Sequence, residues 1–102
     1  MKEILKLKEK ILKQSYLNSD VMKITEAISF LDDTYKKVFK DKKMESDVKL
    51  VLINQEIKKV KNAILNYVNK NKTIPLEIKQ LEGAVIDFSK SIYLYFKKTA
   101  IL

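Results

Sequence analysis

The sequence predicts an all-α protein, an antiparallel four-helix bundle, and three observations carry that reading. Turn-forming residues are nearly absent: the 102 residues hold one glycine, Gly83, and one proline, Pro75. Sheet proteins of this length need many more, whereas long helices with short connections need few. Apolar residues recur in alternating steps of three and four, the spacing of one helix face. That rhythm breaks at polar stretches around 18–20, 40–43 and 69–73, which divide the chain into four.

The first helix is expected over about residues 2–17. Ile4, Leu7 and Ile11, with Leu5 and Leu12 beside them, fall on one broad face, and Lys2, Lys6, Lys10 and Lys13 occupy the rest. Ser19 or Asp20 then offers a cap for the next helix. The second helix, about 21–40, has the clearest seam: Val21, Ile24, Ile28, Leu31, Tyr35 and Val38. A seam of this heptad type needs a long partner helix at a shallow angle. Asp32–Lys36 and Asp33–Lys37 have the i,i+4 spacing of favourable ion pairs outside it.

The third helix, about 46–69, repeats the rhythm with Leu50, Ile53, Ile57, Val60, Ile64 and Tyr67. The run Leu50-Val51-Leu52-Ile53 alone would suit a strand, but the sustained rhythm after it favours a helix. The fourth, about 75–98, begins near Pro75, because a first helical turn has no use for the missing N–H. Glu77 complements the dipole there. Its seam reads Ile74, Ile78, Leu81, Val85, Phe88, Ile92 and Tyr95. Gly83 lies mid-helix, either at a close helix crossing or simply tolerated, at a cost of about 1 kcal/mol against alanine. Three long helices with a looser first one, or an intertwined dimer, are the alternatives. No solenoid-type repeat is present.

Residues 1–102 make a single domain. Hydrophobic residues at 46% supply one core, and charged residues at 33% are too evenly mixed with them for a disordered chain. The absent residue types limit the chemistry. Without cysteine there is neither disulfide nor thiolate, and without histidine the usual general base near neutral pH is missing. Histidine-containing zinc, haem and di-iron bundle sites are excluded with it. All 21 basic residues are lysines, so bidentate guanidinium recognition is unavailable.

Asp32 and Asp33 are sequence neighbours, which do not face each other on a helix. Glu82 and Asp87 lack the spacing of a metal pair. One glycine rules out a P-loop or GxGxxG turn. The expectation is a protein with no catalytic residue, no cofactor and no metal. No signal-peptide core appears in residues 1–12, and the apolar runs 50–53 and 92–96 fall far short of the ~20 residues of a membrane span. A cytoplasmic protein is therefore expected.

The net charge is +8. Lysines are spread over all four helical quarters, and the densest group is Lys36, Lys37, Lys40, Lys42 and Lys43, diluted by Asp33 and Asp41. A basic nucleic-acid-associated or regulatory bundle is the alternative functional reading, weakened by the lack of a recognition helix and of arginine. Attraction to the anionic inner face of the membrane is equally compatible.

Apolar residues off the seams point elsewhere. At 100° per residue, Ile86 and Tyr93 lie side by side away from the core line, flanked by Lys79, Lys90 and Lys97. Leu94 points nearly opposite the core, and the chain ends in the apolar tail Thr99-Ala100-Ile101-Leu102. Two readings stand. Either the first helix or the tail covers these residues, or Ile86, Lys90, Tyr93, Leu94, Lys97, Ile101 and Leu102 form an apolar and basic recognition strip. Phe30, off the second seam, shares the ambiguity.

The stretch from Ile57 through Phe96 carries a resemblance to a known family. A long third helix, Ile57-Lys-Lys-Val-Lys-Asn-Ala-Ile-Leu-Asn-Tyr-Val68, leads through a Lys/Asn loop and Ile74-Pro75-Leu76 into a fourth. With the length, the lysine-rich basicity and the lack of cysteine, this design resembles the immunity proteins of pediocin-like (class IIa) bacteriocins, the enterocin A immunity family. The resemblance implies an antiparallel four-helix bundle acting in the cytoplasm of the producer cell. Such a protein binds the membrane sugar-transporter receptor once bacteriocin has engaged it, and blocks the pore. In that family the C-terminal part largely decides which bacteriocins are countered, which maps onto the fourth helix and tail here.

Overall fold

Four helices account for nearly the whole chain in the computed structural model, which describes residues 1–14, 16 and 18–101, without the side chains of 98–101. They are α1 (Lys2–Leu12), α2 (Ser19–Lys40), α3 (Ser46–Lys70) and α4 (Leu76–Ile101), with no strand among the described residues. Each helix packs on its neighbours in chain order, and α1 closes the ring against α4. Cross-helix bonds join the neighbours, and the pairing of the end of α3 with the start of α2 makes those two antiparallel. Lys8 Nζ donates to Ser29 Oγ at 3.1 Å between α1 and α2, and Lys70 Nζ meets Asp20 Oδ1 at 3.5 Å between α3 and α2. The result is a rod of 46 × 19 × 19 Å.

The helix ends refine the expected boundaries. α1 stops at Leu12 rather than at 17. Its last turn tightens as the amides of Lys13 and Gln14 donate to the carbonyls of Lys10 and Ile11, three residues back, and the Gln14 side-chain amide also donates to the Lys10 carbonyl. Leu17 lies outside the described residues. After α1, the Tyr16 hydroxyl donates to Glu77 Oε2 at 3.0 Å and ties the connection to the start of α4. Burial and this bond to a carboxylate push the Tyr16 phenol up to about 12.

The cap of α2 is Asn18, whose Oδ1 accepts from the Val21 amide at 2.9 Å. Ser19 and Asp20 are instead its first two residues, because only a residue in extended backbone just before the helix aims its side chain at those amides. The link to α3 is an Asx turn in which Asp41 Oδ1 accepts from the amides of Lys43 and Met44. Pro75 sits one residue before α4, and its carbonyl accepts from Ile78 and Lys79. Asp32 and Lys36 pair at 3.0 Å as the spacing predicts, but no bridge joins Asp33 to Lys37. At the solvent-facing surface such a pair gains little.

The core is the predicted set of seams. Ile4, Leu7 and Ile11 of α1 meet Val21, Ile24, Ile28, Leu31 and Val38 of α2. Ile53, Ile57, Val60, Ile64 and Tyr67 of α3 and Ile78, Leu81, Val85 and Ile92 of α4 complete it. Leu50, Tyr35 and Phe88 pack on its margin. The run 50–53 is helical and only Ile53 in it is fully buried, so the sustained rhythm rather than the apolar run decides this element. The fourth seam drifts at its end: Phe96 is buried and Tyr95 is half exposed, the reverse of the expected order. A strict seven-residue repeat slips by ~20° per heptad on a straight helix, which carries the buried stripe from Ile92 to Phe96. A Cβ on Gly83 would touch nothing within 4 Å, so this glycine marks no close crossing.

Candidate functional site on the second half of α4

α1 is 11 residues long and α4 is 26. At 1.5 Å per residue these are about 16 and 39 Å, so α1 covers less than half of its neighbour. It lies over the first half, where Tyr16 reaches Glu77 and a groove between α1 and α4 is lined by Lys6, Leu7, Lys10, Gln80, Gly83 and Ala84. At the start of α1 a cleft of about 430 Å³ opens between the ends of α2 and α4, lined mainly by Met1, Ile4, Tyr35, Phe39, Phe88 and Tyr95.

The floor of this cleft is aromatic. Phe39 centres the cluster, with ring centroids 4.5 Å from Tyr35, 5.5 Å from Tyr95 and 5.4 Å from Phe96. Tyr95 meets Phe96 edge-on at 5.1 Å, and Tyr35 lies 5.6 Å from Phe88. Tilted and edge-on arrangements are those that ring quadrupoles favour. The cluster ties the ends of α2 and α4 together beside the start of α1.

The same half of α4 presents apolar groups to solvent. Tyr93, Leu94 and Tyr95 are 44%, 65% and 53% exposed, the longest such run among the described residues, and Ile86 is 42% exposed two turns before Tyr93. Neither α1 nor any other described element buries them. Lys97 Nζ donates to the Tyr93 hydroxyl at 2.8 Å and lies 5.1 Å from the ring centroid. That hydrogen bond raises the Lys97 ammonium above its usual range.

The predicted strip therefore divides. Ile86, Lys90, Tyr93 and Lys97 share the side of α4 turned towards α3. A cleft of about 340 Å³ lined by Lys61, Leu65, Glu82 and Ile86 marks their junction with it. Leu94 is about 100° away on the outermost line of the helix. Ile101 lies in the last turn of α4, so the expected tail is helix through that residue. Its side chain and all of Leu102 lie outside the described residues.

Sequence reasoning missed Leu65, Phe39 and Tyr95. Tyr95 occupies a seam position in the sequence and Phe39 carries no signal of its own, and their grouping depends on how the ends of α2 and α4 pack. Leu65 had a signal, since it lies off the third seam at seven-residue spacing from Lys58 and Val51.

Among the described residues no group of acidic side chains is arranged to hold a metal ion, and no helix is long and apolar enough to cross a membrane. What the second half of α4 can do chemically is bind: it offers flat aromatic and aliphatic surface beside lysine ammoniums. No protein-family model, no curated protein and no solved structure matches the chain.

Proposed function

We propose that this protein is a cytosolic immunity protein that guards its producer cell against a pediocin-like bacteriocin. It binds the bacteriocin-engaged membrane receptor, a sugar transporter, and blocks pore action. The observation that carries this reading is the concentration of exposed apolar surface on the second half of α4, where Tyr93, Leu94 and Tyr95 follow one another in solvent. Aromatic residues with adjacent cations are what protein interfaces enrich. The four-helix architecture and the lysine-rich basicity are features that the immunity family shares.

The test is protection. The protein is expressed in a bacteriocin-sensitive strain and challenged with a panel of pediocin-like bacteriocins. Protection against one or a few members is expected. The double variant Tyr93→Ser, Leu94→Ser is expected to lose that protection while circular dichroism stays unchanged, because both side chains are exposed and their loss opens no cavity. Protection that survives the double variant places recognition elsewhere on the molecule. A folded wild type that protects against no member refutes the immunity reading and favours the basic nucleic-acid-associated bundle, to be measured by binding at graded salt.

A further inference from the structure

We infer that the outer face shared by α3 and α4 docks on an anionic bilayer surface. This deepens the immunity reading by assigning how the protein is held beside a membrane receptor, and it is measured without bacteriocin. The face is built from two columns at seven-residue spacing. On α3 these are Val51, Lys58 and Leu65; on α4, Lys79, Ile86 and Tyr93, with Lys90 and Lys97 alongside. On α4 these five residues fall within an arc of about 60°. Three small clefts fix the columns next to each other: one joins Lys61 and Leu65 to Ile86, one joins Lys58 and Lys61 to Ser89, and one joins Val68 to Lys79.

All of these lysines are exposed, and so are Val51, Leu65, Ile86 and Tyr93. Acidic residues are few on the face. Glu56 is paired with Lys59, Glu77 is held by Tyr16, and Asp87 lines the grooves on the α1 side. Asp47 shares the line of Leu65 at the start of α3, and Glu82 lies among Lys58, Lys61, Lys79, Lys90 and Lys97, so five lysines stand against two carboxylates. Lysines elsewhere are interleaved with carboxylates, as Lys36 is with Asp32 and Lys70 with Asp20.

Charge complementarity selects an anionic partner, and the apolar side chains between the lysines select a bilayer. Exposed Leu, Ile and Val have nothing to meet on a phosphodiester backbone, whereas in a headgroup layer they enter the acyl boundary while lysine stems reach the phosphates. A second copy of the chain would bring the same five cations against this face, which opposes self-association through it.

The experiment is co-sedimentation of the purified chain with phosphatidylglycerol/phosphatidylcholine vesicles and with phosphatidylcholine vesicles, at low and high salt. Binding is expected to the anionic vesicles alone and to weaken with salt. Each lysine near such a surface contributes enough that Lys58→Glu with Lys61→Glu is expected to lower partitioning by at least about tenfold. The control, Lys40→Glu with Lys43→Glu, changes the net charge equally on exposed positions outside the face and is expected to keep most of the binding. Circular dichroism verifies that both variants fold. No binding to anionic vesicles at low salt, or an equal loss in both variants, overturns the docking face. So does tighter binding to a DNA duplex through Lys58 and Lys61. Failure here leaves protection by the Tyr93 and Leu94 surface standing, and failure of protection leaves vesicle binding standing.

Discussion

The two halves of α4 have similar apolar content and opposite surroundings. Along the first half, Ile78, Leu81, Ala84 and Val85 are buried, and α1 lies across the side that would otherwise face water. Along the second half, Ile92 and Phe96 are buried, yet Tyr93, Leu94 and Tyr95 are exposed. The difference follows from the side of α4 that each apolar residue occupies: Tyr95 borders the cleft that Met1 and Ile4 line, Tyr93 lies with the exposed Ile86 on the side turned to α3, and Leu94 is on the outermost line. A helix whose apolar stripe is wider than its partners can cover is left with surface suited to binding.

The largest way to break this comparison is to truncate one leucine in each half. Leu81→Ala removes a fully buried side chain and is expected to cost about 2–5 kcal/mol in urea unfolding, through the lost transfer energy and the cavity left behind. Leu94→Ala is expected to stay within about 0.5 kcal/mol of wild type, since its side chain already lies in water. Comparable losses at both positions would mean that the second half is packed against something in solution.

A smaller effect sharpens the picture of the covered half. Gly83 borders the α1–α4 groove, and an added methyl group meets no atom within 4 Å. Gly83→Ala is expected to stabilise the protein by about 0.5 to 1 kcal/mol, by restricting the unfolded chain and improving helix propensity. Destabilisation, read by the same urea titration, would show that α1 sits closer to α4 than the groove allows.

The smallest effect concerns the tie between α1 and α4. The Tyr16 phenol is raised in the folded state to about 12, from an ordinary value of 10.0. The folded state therefore holds the proton more tightly than the unfolded chain. The resulting contribution is complete below pH 10 and is lost as pH rises towards about 12. Tyr16→Phe is expected to remove that part of the alkaline loss, so the stability difference between wild type and variant shrinks across the window. A difference that is flat with pH would mean that the bond to Glu77 does not persist in solution.

Much of the candidate surface was legible before any tertiary structure. Ile86, Tyr93 and Leu94 stood out because they break the three-four rhythm, and all three prove exposed. Tyr95 did not, because it occupied a seam position, and the slip of ~20° per heptad on a straight helix turned it out of the core in favour of Phe96. The aromatic cleft was not legible at all. It needs Phe39 from α2 and Tyr95 from α4 brought to 5.5 Å, with Met1 and Ile4 at its other wall.

The sequence by itself determined the fold class, the four helices and most of the core, because helical periodicity and the scarcity of turn residues are local properties of the chain. Its missing residue types likewise exclude thiolate, imidazole and guanidinium chemistry. Tertiary structure alone decided which apolar residues off the seams stay in water and which lysines share a face with few carboxylates. Those outcomes depend on the length of one helix against another and on the rotation of each about its axis. Both are settled only when the helices pack.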